Sequence, residues 1–158
     1  MSISDIIVVM KDGVLQQMGK PQEVYDNPVN LFVAKFLGTP PINVFEGEIK
    51  SGKVCIGNDA VLDASGISDK KVYVAIRPEG FNLDNEGTFE CKLNRIEVMG
   101  RDVSIVSTHD NLLNDSGTIR SIINAENDVD TSKETVRFSL KKNKVFIFDA
   151  DTEERIDY

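Results

Sequence analysis

Three absences bound the function before any motif is considered. No stretch approaches the roughly 20 apolar residues that a membrane helix requires, and the first residues lack the charged and apolar regions of a signal peptide. If a membrane matters to this chain, another subunit crosses it. Basic residues are in deficit, 18 Lys and Arg against 26 Asp and Glu, for a formal net charge of -8 and a pI near 4.7. Nucleic-acid binding draws on clustered Lys and Arg, so nucleic acid is excluded as a partner. The short basic groups, Lys70-Lys71 and Lys141-Lys142 with Lys144, are flanked by acids and read as solvated surface.

Histidine occurs once and cysteine twice. A histidine-rich metal site is therefore ruled out. Cys55 and Cys91 fall in strand-like runs without metal-ligand spacing, and read as reduced core residues of a cytosolic protein rather than as a disulfide. His109 stands in "VSTHDN" near Ser104, Ser107 and Thr108, but adjacency along the chain does not assemble a nucleophile with its base. That stretch reads as a polar loop.

What is present is the composition of an ordinary globular protein, 158 residues with 41% hydrophobic and 28% charged content. Residues 6–17 read as a hairpin: "IIVVM" is apolar and β-branched, "KDG" turns, and "VLQQ" returns. In "GKPQEVYD", Pro21 suits the first position of a short helix and Glu23 its first turn. A second helix is predicted in "DNPVNLFVAKFLGTPP", with Asn27 as cap, Pro28 at the first helical position, Gly38 just past the end and Pro40-Pro41 preventing continuation. Leu31, Phe32 and Phe36 lie on its adjoining faces with Lys35 the polar exception. Elements this small bury little apolar surface alone, so Phe32, Phe36 and the Ile6–Val9 strand need a partner.

From Val44 onward the pattern is short β runs between polar turns, as in a barrel or sandwich: "VFEGEI", "KVCI", "VYVAIRP", "TFECKLNRIEV", "DVSIVS", "TIRSII", "TVRFSL" and "KVFIFDA". In Phe89–Val98 the apolar alternation slips by one between Leu93 and Ile96, which predicts a bulge near Asn94-Arg95. The continuously apolar Val145, Phe146, Ile147 and Phe148 form a strand either buried on both faces or lying at an interface. Arg77 and Glu79 flank Pro78, either as an ion pair fixing that turn or as part of a binding surface. The acidic tail "DADTEERID" reads as a solvated terminus.

Over about forty positions, "SDIIVVMKDGVLQQMGKPQEVYDNPVNLFVAKFLGTPPIN" resembles the end of the nucleotide-binding domain in ATPase subunits of ABC importers for sugars, polyols and glycerol phosphate. The remainder is similar to that family's C-terminal regulatory domain, called TOBE, through "VAIRPEGFNL", "IEVMGRDVSIV" and "KVFIFDADTEERI". The resemblance implies a mainly β fold: an OB-like β-barrel at residues 41–158, preceded at 1–40 by a hairpin and two short helices left from an α/β ATPase domain. It also implies that the chain is a fragment cut just after the switch-histidine loop, with the missing ATPase sheet supporting Ile6–Val9. Residues 44–158 are expected to fold without the first forty.

The chain departs from the family pattern at Lys20, where threonine is usual, at Ile6, where a basic residue is common, and at Ile42, where methionine is usual. Lysine cannot accept the amide hydrogen bond of a reciprocal helix cap, a loss of about 1 kcal/mol at most. An ATPase of this type needs a GxxxxGK[ST] loop, but Gly19-Lys20 and Gly52-Lys53 are followed by Pro21 and Val54. The signature motif is absent too, and His109 follows the hairpin that the switch histidine should precede. No catalytic, cofactor-binding or metal residues are therefore expected, and no hydrolysis. ATP and magnesium belong to the parent protein, by resemblance.

By the same resemblance, the partners are a second copy of the ATPase subunit, membrane-spanning permease subunits and a regulatory protein. The location is cytoplasmic, on the inner face of the cell membrane through the permease. The residues expected to serve structure or interface are Arg77, Glu79, Val145, Phe146 and Phe148. The alternative is a ligand-sensing domain for an oxyanion, polyamine or metal, since OB-like barrels also bind small molecules. The serine-arginine-asparagine signature of the oxyanion-binding relatives is not visible, and an acidic chain disfavours anions.

Overall fold

The hairpin predicted at the start of the chain consists of β1 (Ile7–Lys11) and β2 (Val14–Gly19), paired antiparallel. Asp12 and Gly13 both take positive φ, 51° and 77°, the turn geometry whose twist matches that of the flanking strands. The computed structural model describes residues 5–124 and 129–158.

Helix α1 (Pro21–Asp26) begins on its proline, and Lys20 at the cap position makes no side-chain cap bond, since an ammonium has no acceptor. Helix α2 corrects the sequence reading. It runs Leu31–Phe36 and is capped by Asn30, whose side-chain oxygen accepts from the Val33 amide at 2.9 Å. Asn27 instead closes α1, its amide donating to Glu23 O, and Pro28 lies in the connection. Tertiary contacts choose between the two asparagines: the Asn30 side-chain amide donates to Gln16 Oε1 at 2.8 Å, and Asn30 forms a β-bridge with Glu154.

After Gly38, at φ 109°, the chain enters its β part. The strands are β3 (Asn43–Lys50), β4 (Lys53–Ile56), β5 (Asp59–Asp63), β6 (Lys70–Ile76), β7 (Phe81–Leu83), β8 (Phe89–Met99), β9 (Asp102–Thr108), β10 (Ile119–Asn124), β11 (Thr135–Leu140), β12 (Val145–Asp149) and β13 (Arg155–Ile156). They form a six-stranded sheet, β13-β12-β6-β3-β4-β5, and a five-stranded sheet, β10-β9-β8-β11-β7. The second sheet curls until its edge strands β7 and β10 line one cleft together, giving a nearly closed, barrel-like shape. The described fold is mainly β, with 52% strand and 12% helix. Its pairing confirms the bulge: Leu93 faces Ser107 and Arg95 faces Val106, leaving Asn94 without a ladder partner.

Three apolar clusters hold these elements. The largest fills the space between the sheets, with Phe45 edge-on to Phe89 at 5.3 Å and Phe81 edge-on to Phe138 at 5.0 Å. A second lies on the opposite face of the six-stranded sheet, where Leu31 and Ala34 of α2 meet Ile42, Val44, Ala75, Phe146 and Phe148. A third joins the hairpin to the helices through Val9, Val24, Val33 and Leu37. The apolar run in β12 is thereby accounted for within the chain: Val145 and Ile147 enter the first cluster, Phe146 and Phe148 the second. Cys55 is half-buried and Cys91 buried, and both are free thiols.

Candidate functional site

A buried polar arrangement lies where the helices meet the six-stranded sheet, and Arg77 is its centre. β6 ends at Ile76, and Arg77 keeps extended backbone, φ -61° and ψ 148°, as the residue before a proline must. A single 3-10 turn, Pro78–Gly80, follows. The Arg77 side chain is 1% exposed. Its Nη1 donates to Ala34 O at 3.0 Å and Leu37 O at 2.9 Å, and its Nη2 to Tyr25 O at 2.9 Å. These carbonyls belong to the last turns of both helices, which lack intrahelical donors.

Two aromatic rings lie close to the cation. The guanidinium carbon lies 3.9 Å from the Tyr25 ring centroid and 5.6 Å from that of Phe146, within reach of cation–π attraction. Burial lowers the pKa of Arg77, against the opposing pull of Tyr25, Glu79 and Asp26; a guanidinium starts so high that it stays charged. Its Nε has no hydrogen-bond acceptor.

Glu79 does not meet Arg77 as the direct ion pair that sequence adjacency suggested. The Tyr25 hydroxyl stands between their roles, donating to Glu79 Oε2 at 2.7 Å and lying 3.0 Å from Oε1. Burial, then the Glu79 hydrogen bond, push the Tyr25 pKa upward. Lys144 adds an ion pair to Asp26 at 3.7 Å. Val145, Phe146 and Phe148 are no more than 2% exposed, so their contacts are with this chain's own elements. Tyr25 and the helix carbonyls were missed from the sequence. The available signal was an arginine closing the apolar run "VYVAI".

Elsewhere among the described residues the surface carries clefts but no reactive constellation. One, of about 340 Å³, is lined by Glu46, Glu48, Cys55, Lys71, Tyr73 and Asn111 among others. A second, of about 440 Å³, opens between α2 and the loop before β10, with Lys35, Asp115 and Glu153 at its walls. Among the described residues there is no group of three or more His, Cys, Asp and Glu placed to hold a metal. His109 packs against Phe45 and Phe89, with ring centroids 6.0 and 5.3 Å away, and its Nδ1 accepts from the Asn111 amide at 3.0 Å. Burial lowers its pKa. The Ser104 hydroxyl is buried without a hydrogen-bond partner. Gly52-Lys53 turns β3 into β4, and Gly19-Lys20 joins β2 to α1 with only Lys20 between the two elements, so neither pair closes the long glycine-rich loop between strand and helix that cradles phosphates. No helix among the described residues is long and apolar enough to cross a membrane.

No family model matches the chain. It is 35% identical, over 95% of its length, to the oligosaccharides import ATP-binding protein MsmX of Bacillus subtilis. Against the sn-glycerol-3-phosphate import ATP-binding protein UgpC of a Ruegeria species it is 32% identical over 99% of its length. The chain is a homologue of ABC importer ATP-binding subunits. A shorter match, 43% identical over 52% of the chain, is to the diacetylchitobiose uptake system ATP-binding protein MsiK of Streptomyces coelicolor. This ABC importer homologue spans 44% of MsmX and 43% of UgpC, less than half of either relative.

Proposed function

We propose that the chain is the C-terminal part of the ATP-binding subunit of an ABC importer for a sugar, polyol or similar solute. Residues 41–158 form its TOBE domain, an OB-like barrel that serves regulation and pairing of two such subunits. Residues 1–40 are the last elements of the nucleotide-binding domain. The parent subunit binds ATP and magnesium, works with membrane-spanning permease subunits and a regulatory protein, and lies on the cytoplasmic face of the membrane through the permease.

The observation that carries this reading is the outer face of the first hairpin. Ile6, Val8, Met10, Leu15 and Met18 are 51–63% exposed there, while the opposite face, at Val9, is buried against the helices. A sheet face this apolar belongs against another layer. In a chain spanning less than half of its ATP-binding relatives, the rest of the nucleotide-binding domain supplies that layer.

Met10→Lys tests the point. In this chain the substitution is at an exposed position and is expected to change stability by no more than about 0.5 kcal/mol. In the full-length subunit it buries an unpaired ammonium and is expected to be severely destabilising. Equal tolerance in both proteins would overturn the placement of the hairpin. Titration of this chain with magnesium and ATP is expected to show no binding, and micromolar affinity would overturn the assignment. The pairing role is tested by sedimentation of the nucleotide-bound full-length subunit with and without residues 41–158. Equally tight dimers after removal would refute it.

A further inference from the structure

We propose that Arg77, with Tyr25 and Glu79, forms a latch that locks helices α1 and α2 onto the β part, and that the 37–42 connection becomes a hinge when the latch opens. The inference concerns contacts within this chain and does not depend on the solute or partners proposed above.

A single backbone connection, 37–42, carries the chain from α2 into β3. Across the junction, three hydrogen bonds run from one guanidinium to carbonyls of both helices, and the Tyr25 hydroxyl reaches back to Glu79 on the β side. Both links hold α1, and Arg77 alone also reaches α2. Gly38 preserves the space: a Cβ there would lie 3.3 Å from the Tyr25 ring and 3.5 Å from Arg77 Nη1.

The charge makes the junction two-state. With the helices docked, three carbonyls accept from the two Nη atoms of the guanidinium; with them undocked, water takes their place. A partial displacement would leave a buried cation with unpaired donors, which is costly. An apolar contact alone, such as Leu31 and Ala34 on Phe146 and Phe148, has no such directionality and tolerates sliding. Packed interfaces of this kind switch between discrete arrangements instead of deforming continuously. Lysine could not replace the arginine, because one ammonium has neither the planar fork that reaches three carbonyls nor the flat face that lies 3.9 Å from the Tyr25 ring.

The test is amide hydrogen exchange on the whole chain. Two amides report docking directly: Leu31, which donates to Glu153 O at 3.0 Å, and Arg155, which donates to Val29 O at 3.1 Å. Arg77→Met is expected to accelerate exchange at both by about tenfold or more, with the β8–β9 amides unchanged. Arg77→Lys is expected to behave like Arg77→Met. Ile105→Val, in the main core, serves as a control that accelerates amides throughout. Tyr25→Phe keeps the ring and its carbonyl but loses Glu79, and is expected to give a smaller acceleration at the same two amides. The latch is refuted if Arg77→Met leaves Leu31 and Arg155 at wild-type rates, if it accelerates all amides as the control does, or if Arg77→Lys restores protection. Should Arg77→Met not fold, Tyr25→Phe decides: selective acceleration supports the latch, and uniform or absent acceleration overturns it.

Discussion

Replacing Phe148 by alanine is expected to remove about 3 kcal/mol of stability, because its ring is fully buried between the six-stranded sheet and α2. Burial of a phenylalanine side chain contributes about 1.5–3 kcal/mol, and the cavity left behind adds to that. The general range for such truncations is about 3–5 kcal/mol. The lower end applies because the two walls differ. One is the six-stranded sheet, in which β12 is hydrogen-bonded on both sides, to β6 and β13; the other is α2, six residues long, which can settle part-way into the hole. Against a total stability of about 5–15 kcal/mol, the loss lowers the thermal midpoint by about 6–12 °C. Urea unfolding followed by far-UV circular dichroism measures it, and the slope with urea should not change. Phe36→Ala is the companion measurement: that ring is 58% exposed, and its loss should cost no more than about 0.5 kcal/mol. A loss below about 1 kcal/mol for Phe148→Ala would refute the packing of α2 on this sheet.

Asn30→Ala removes the α2 cap and is expected to cost about 1 kcal/mol in the same assay, whereas Asn27→Ala should cost less because Asn27 caps no second helix. His109, whose folded pKa is lowered by burial, stays neutral where the unfolded side chain takes up a proton. Its contribution to stability is therefore complete above the ordinary histidine pKa of about 6.5 and declines as pH falls through the folded pKa; His109→Gln should flatten that part of the stability–pH curve. Burial pushes the Cys91 thiol up to about 12, so a thiol reagent at neutral pH should modify Cys55 in the native protein well before Cys91.

Much of the fold was legible because it is written locally. The Asp12-Gly13 turn, Pro21 at a helix start and the eight apolar β runs all rest on residue types within a few positions of one another, and the structure contains each of them. The slip of alternation near Asn94 foretold the bulge for the same reason. Strands β5, β7 and β13 were not legible. β7 and β13 are three and two residues long, too short to show a periodicity, while β5, "DAVLD", begins and ends on aspartates, which are depleted in strands; each pairs with the edge of a neighbouring strand.

The sequence by itself determined that β12 is apolar on both faces; only the tertiary structure decided what covers the second face. That cover is α2, from far earlier in the chain, and no local pattern encodes so distant a contact. The choice between Asn27 and Asn30 as cap went the same way, since both can accept an amide and only Asn30 is held by Gln16 and Glu154. Arg77 and Glu79 were visible as polar residues beside Pro78, but their roles were not. Arg77 binds backbone carbonyls, which every residue possesses and no side-chain identity marks, and Glu79 binds a tyrosine 54 positions away. A sequence displays the donors of such a junction, and the fold alone selects their acceptors, because hydrogen bonds act over about 3 Å of space whatever the separation along the chain.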